Sequence, residues 1–321
     1  PGGGPGAARP GAPGDRGREE RDRVRRAREQ LQLAAALVDG LLAEEPDSAE
    51  AGALKARCQM LAARLVSRRP EAGRPDGDRG ERAGPEARQA AEAERSALQQ
   101  SGLDLLRKVV QAHPKVESYR SEFVEAVLES TRRFEPGQGP RREPGGGEPF
   151  PRQPRPVTPS ELTLLREART HAVALHGAQP QEYRAQAGRA LSRLGVRLVD
   201  ATIGLDEAAR APLLAEAEAA LTQATELERK LIEGGGPLEP RFVLPVVESA
   251  AALSGLYAAT GRRDQAVAVL DSLLDLLEPY AERLDGGQLG PLGDVILRFA
   301  QPRLLQRWRA LRDRLQGRRG R

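Results

Sequence analysis

The stretch Pro240–Pro279, PRFVLPVVESAAALSGLYAATGRRDQAVAVLDSLLDLLEP, decides how the chain is read. It holds two sets of apolar residues spaced three and four apart: Val246, Ala250, Leu253 and Tyr257, then Ala266, Leu270, Leu273 and Leu277. That spacing puts each set on one face of an α-helix. A strand would need alternation at every second residue. Gly261 lies between the sets and suits the left-handed position just past a helix end. Two helices joined by so short a turn run antiparallel. A hairpin this small cannot bury both its faces alone, so it calls for neighbours.

The rest of the chain is read outward from this hairpin. Residues 1–15 are a Gly/Pro linker with nothing to bury. A helical pattern over 16–45 carries Leu31, Ala34, Leu37, Val38, Leu41 and Leu42. After Pro46, Asp47 is expected to cap a second helix, with Glu50 closing the box and Leu54, Cys58, Leu61 and Leu65 facing the core. A polar, Pro/Gly-rich insert at about 68–84 follows. Helices are expected over 85–112 and 116–134, broken by Pro114, and a second insert fills 135–157. Thr158, Pro159 and Glu161 open the next helix as cap, first helical residue and box partner. Helices follow from Pro180 to about Thr202 and from about Asp206 to Gly234. A final helical region over 289–317, interrupted near Pro302, is expected to cap the array.

The last hairpin resembles a tetratricopeptide repeat (TPR). The residues that carry the likeness are Leu253, Ser254, Tyr257, Gly261, Ala266, Leu270, Leu273 and Pro279. It departs from the pattern at Ala250, where a large aromatic often sits, at Ser254, where the family has Gly, and at Leu273, where it has Ala. Pro279 also comes one residue late. Weaker echoes lie upstream. Tyr119, Tyr183 and Phe242 each open a helix after a proline, Leu194-Gly195 repeats Leu253-Ser254, and Ala217, Leu221 and Ala224 match the second-helix spacing. The copies are spaced well beyond the usual period of about 34 residues because of the inserts and longer second helices. The resemblance implies an all-α, right-handed α-solenoid of about four antiparallel helix pairs over residues 16–283, acting as a protein-interaction array. The phrases HPKVESYRSEF, AEAEAALTQATELERKLI and LYAATGRRDQAVAVL also resemble repeats of large planctomycete-type bacterial signalling proteins. There such arrays often follow a kinase or a sigma- or anti-sigma-related region.

Composition agrees with a helical array. Hydrophobic residues make up 39% and aromatics only 3%, so Leu and Ala must build the core. Lys is rare beside Arg, as a GC-rich coding bias would give, and the pI of 9.6 is discounted for that reason. The net charge of +4 is uneven, because residues 301–321 hold eight Arg and one Asp. No apolar run reaches the roughly 18 residues of a membrane span. The location is expected to be cytoplasmic. The start at Pro1 within a Gly/Pro run suggests a missing upstream segment that carries a membrane anchor or another domain.

Residues suited to chemistry are few. Cys58 is the only cysteine, reads as a small core residue, and cannot form an internal disulfide. His171 and His176 are five apart, off the spacing that two metal ligands on a helix need. The Gly runs lack the flanking strand and Lys of a phosphate loop. No catalytic, metal or cofactor residue is assigned, and the chain reads as non-enzymatic. The Pro151-x-x-Pro154 segment reads as a solvated spacer or a polyproline ligand. The Arg-rich tail, with Leu304, Leu305, Trp308, Leu311 and Leu315 on one face, reads as a solenoid cap. A basic helix for a membrane surface or nucleic acid is the alternative, although nucleic acid would want more stacking aromatics. A partner groove is expected on the first helices, lined by Arg57, Met60, Arg64, Glu125, Leu128, Arg132, Arg189, Ser192, Val196 and Glu248, then Ala251 and Gly255. Its arginines favour an acidic peptide or helix of a protein partner. Ordinary solvated positions are the competing reading.

Overall fold

The structure, a computed structural model, describes residues 13–67, 85–131, 156–233 and 240–285, together with 309, 310, 312, 313 and 316. Among these the regular elements are α-helices: α1 (Pro13–Glu44), α2 (Ala49–Ser67), α3 (Pro85–Ala112), α4 (Glu117–Ser130), α5 (Pro159–Ala178), α6 (Pro180–Ala201), α7 (Glu207–Glu233), α8 (Pro240–Ala259) and α9 (Arg263–Asp285). The first insert, most of the second with its Pro-x-x-Pro segment, and most of the C-terminal region lie outside the described residues. The chain forms two compact units, residues 1–126 and 127–321.

In the first unit α1 packs on α2 and α2 on α3. The sequence reading of α2 needs two corrections. Its cap is Ser48, whose Oγ accepts the Ala51 N–H at 3.4 Å, because the helix begins one residue later than Asp47 requires. Its core face is Ala53, Ala56, Met60 and Ala63, all buried, whereas Leu54 and Leu61 are 41% and 44% exposed. Cys58 is half-buried on that outer side. The cause is close approach. A Cβ on Gly102 of α3 would lie 3.2 Å from the Ala56 carbonyl oxygen and from Met60 Cγ. Leucines do not fit in that gap, so alanines face inward. Lys55 bonds Asp39 at 2.7 Å and Arg28 donates to the Leu65 carbonyl at 3.0 Å, tying α1 to α2.

In the second unit each helix from α5 to α9 packs on the next, and α6 also packs on α8. This is the all-α, antiparallel-pair architecture of a helical repeat. Local chemistry sets the ends. The Thr158 hydroxyl accepts the Glu161 N–H at 3.2 Å, and Asp206 Oδ1 accepts the Ala209 N–H at 2.9 Å. The box expected at Thr158 is only half made, because the Glu161 carboxylate turns to Arg197 instead. Gly261 has φ of 78°. Its N–H bonds the Ala258 carbonyl, and the Arg262 N–H bonds the Tyr257 carbonyl at 2.8 Å. These two bonds satisfy the last carbonyls of α8 and reverse the chain. Helix α9 runs on through Pro279, where one missing N–H is tolerated, to Asp285.

Within the last two helix pairs the crossing point is small. A Cβ on Gly195 would lie 2.5 Å from Leu221 Cγ and 3.2 Å from the Ala217 carbonyl oxygen. At the matching slot Ser254 is buried, and its hydroxyl donates to the Ala266 carbonyl at 3.1 Å. The serine that departs from the family pattern therefore gains a hydrogen bond where glycine would only leave room. Around these points Leu194, Ala217, Leu221, Ala224, Leu253, Tyr257, Ala266 and Leu270 are buried, while Tyr119 and Tyr183 are half-buried. Phe242 belongs to α8, but its side chain lies outside the described residues. Replacing Gly195 with Leu should cost about 3 kcal/mol through overpacking, because Leu221 has nowhere to move. Urea denaturation of the full chain measures this as a lower midpoint with an unchanged slope.

Candidate partner-binding surface

Helices α6 and α8 are the first members of successive pairs and pack directly on each other. Their outward sides therefore adjoin. On that surface Glu248 and Gly255 of α8 are exposed, Ala251 is half-buried, and the space above Gly255 is open. On α6, Arg189 and Val196 are half-buried. Ser192 is not on the surface. It is buried, so the groove reading is corrected there. Met60 and Leu128 are buried as well, each 7% exposed, and leave the groove for the same reason: the inward register of their helices claims them. Of the others, Arg64 is exposed, Glu125 is half-buried, and Arg132 lies outside the described residues. Arg57 donates through Nε to Glu122 of α4 at 3.0 Å, so part of its charge is met within its own unit.

Ser192 has a different role. Its Oγ lies 2.7 Å from Ser249 Oγ, which lies 2.7 Å from Glu228 Oε2 and 2.9 Å from the Pro245 carbonyl oxygen. Glu228 projects from α7 and is 1% exposed, and its Oε1 has no hydrogen-bond partner among the described residues. Its methylene stem fills the space that a side chain on Gly188 would need. Burial drives the carboxyl pKa from 4.5 up to about 8, with the Glu248 charge adding to the rise and the Ser249 bond and Arg189 opposing it. A serine has one proton to give, so three oxygens around Ser249 cannot all accept from it. With Glu228 protonated, its O–H donates to Ser249 Oγ, and Ser249 donates to the Pro245 carbonyl. The neutral acid thus satisfies the seam better than the carboxylate does.

A second polar core joins α5 to α6. Arg197, 3% exposed, donates to both Glu161 oxygens at 2.8 and 3.0 Å and to Asp200 at 3.0 Å. Burial alone would lower the guanidinium pKa, but these carboxylates hold it above its usual value. Outer edges are fastened too. Arg166 forks onto Glu216, and Arg262 forks onto Glu218 at 2.8 Å while its guanidinium sits 4.5 Å from the Tyr257 ring centre.

Glu228 and Arg197 were missed from the sequence. For Glu228 a signal existed: it continues the stripe Ala217, Leu221, Ala224 by four residues, a carboxyl at a core position. For Arg197 the local signal is Asp200 three residues on, whereas its other partner, Glu161, lies 36 residues away and no local pattern announces it.

A shallow cleft of about 540 Å³ between α2 and α3 is lined by Lys55, Ser101, Asp104 and Lys108 among others, and its lining includes no histidine or cysteine. Among the described residues no three His, Cys, Asp or Glu side chains are grouped as metal ligands would be, and no helix is long and apolar enough to cross a membrane. No protein-family model and no curated protein matches the chain. A similar solved structure is a thermophilic TPR protein from Thermus thermophilus. It is 19% identical, the match covers 80% of this chain and 92% of that one, and the TM-score is 0.28. So loose a superposition carries no argument, and the fold stands on the packing described above.

Two outcomes follow. The unfolded chain loses the Glu228 proton near pH 4.5, and the folded chain near pH 8. The stability Glu228 contributes is therefore fully present below pH 4.5 and is lost as pH rises to 8. Glu228→Gln, a neutral isostere, should remove that downward slope, as read from thermal midpoints across pH. Arg197→Ala should cost about 3–5 kcal/mol by taking the buried cation away from the Glu161 carboxylate, as measured by chemical denaturation.

Proposed function

We propose that this chain is a non-enzymatic protein–protein interaction scaffold of the TPR-like kind. The observation that carries the reading is the direct packing of α6 on α8, which gives successive first helices one adjoining outer surface. Ala251 and Gly255 keep that surface low, so the backbone of an incoming segment can come close. Rigid side-by-side helices bind without ordering themselves first, which removes part of the entropic cost of association. The partner segment is a peptide or helix, and an acidic one is favoured on the α6 side, where Arg189 stands. Glu248, exposed on α8, sets the opposite sign and gives the bound segment a direction. Arg64 offers a positive charge separately, within the first unit.

The Arg-rich tail reads best as a cap. Arg312 bonds Asp271 of α9 at 3.5 Å, which supports packing against the last helix over a role as a free basic arm. The planctomycete-type resemblance adds a context in which the array regulates a larger signalling protein. Neither the partner nor that context is needed for the surface reading.

The test uses the full chain and a displayed library of random helical peptides. Enrichment of acidic sequences is the expected outcome. Gly255→Trp fills open space and should leave the fold intact while weakening captured peptides about tenfold, equivalent to about 1.4 kcal/mol. Arg189→Glu should weaken the acidic ones selectively. Binding indifferent to Gly255→Trp removes α8 from the interface and the reading with it.

A further inference from the structure

We infer that α1 is a self-association surface on which a second copy of this chain packs antiparallel. Three leucines four residues apart, Leu33, Leu37 and Leu41, lie along one face of α1 and are 62%, 72% and 51% exposed. The side of α1 that turns inward is a different one, marked by buried Val38 and half-buried Leu31, Ala34 and Leu42. Among the described residues of its unit the helix therefore has one covered apolar side and one uncovered. Gly40 lies beside the uncovered stripe, and no described residue comes within 4 Å of where its side chain would be. A glycine inside a helix costs about 1 kcal/mol relative to alanine. No close packing among the described residues accounts for this one, and it leaves room for another helix to approach.

Charge identifies the occupant. Residues 16–28 hold seven Arg against three acidic residues, and residues 29–50 hold six acidic residues and no basic one. Each pole is thus a poor match for itself and a good match for the other. Arg26 and Glu44, eleven residues before and seven after Leu37, fall on the same face as the leucines, and both are exposed. In an antiparallel pair that sets Leu33 of one copy against Leu37 of the other, Arg26 meets Glu44. A two-fold axis makes each of these contacts twice. A parallel pair would set Arg against Arg. The ion pairs now made along α1, Arg23 with Glu19 at 3.6 Å and Arg25 with Asp22 at 3.3 Å, are solvent-exposed and yield readily to a partner.

The experiment is sedimentation velocity with light scattering on the full chain over a wide concentration range. A monomer–dimer equilibrium that weakens with added salt is expected. Leu37→Glu should raise the dissociation constant at least about tenfold. Glu44→Arg should also weaken the dimer, and Glu44→Arg combined with Arg26→Glu should restore it. All three side chains are exposed, so circular dichroism should be unchanged. As an independent measurement, Leu33→Cys with Leu37→Cys in a Cys58→Ser background should give a covalent dimer on mild oxidation. Four results would each overturn the proposal: a chain monomeric at every concentration, growth past the dimer as head-to-tail stacking would give, a dimer indifferent to Leu37→Glu, or failure of both the charge swap and the cross-link.

Discussion

Small residues at helix crossings govern this fold. In α2 and α3 the contact is Ala56 against Gly102, in α6 and α7 it is Gly195 against Ala217, and in α8 and α9 it is Ser254 against Ala266. Each lets two backbones approach more closely than leucines would allow. Close approach then decides which side of each helix is inside. On α2 it turns Ala53, Ala56 and Ala63 inward and pushes Leu54 and Leu61 outward. It also explains how a chain with so few aromatic residues packs at all. Dispersion contacts are gained by proximity along alanine faces rather than by filling space with rings.

Proximity leaves little room for water, so polar groups caught between helices must satisfy one another. The two polar cores do this by opposite means. Arg197 keeps its charge and is matched by Glu161 and Asp200. Glu228 gives its charge up and joins a hydroxyl relay through Ser249. Both link elements that the apolar contacts alone would leave free to slide. Arg166 with Glu216, and Arg262 with Glu218, repeat that fastening at the wetter edges.

Much of the helix layout was legible in the sequence, because prolines, glycines and caps punctuate it. Thr158, Asp206, Pro180 and Gly261 act as their types suggest. The buried face of α2 was not legible, because leucines were weighted above alanines when the real constraint was separation between helices. Asp47 failed as a cap by one residue for a simpler reason: Ser48 is as good a cap and stands next to the helix. The surface positions fared least well. Carrying one register through four unequal repeats puts Met60, Leu128 and Ser192 in an open groove, and a small phase error turns such positions inward. Arg57 meets Glu122 65 residues away, a pairing that no local pattern announces.

The alanine and glycine positions at the helix crossings invert the usual pattern of mutational harm. In a leucine core the damaging changes shave atoms away. Here many inward positions are already near the minimum, with Ala56, Ala63, Ala168, Ala172, Ala187, Ala190, Ala217, Ala224 and Ala266 fully enclosed. Truncation has little left to remove at such sites, and added bulk has nowhere to go. Single-nucleotide substitutions from Ala and Gly codons lead mostly to larger residues, such as valine, threonine, serine and arginine. At these crossings the constraint on substitution is therefore crowding, and a single added methyl is felt more than a lost one.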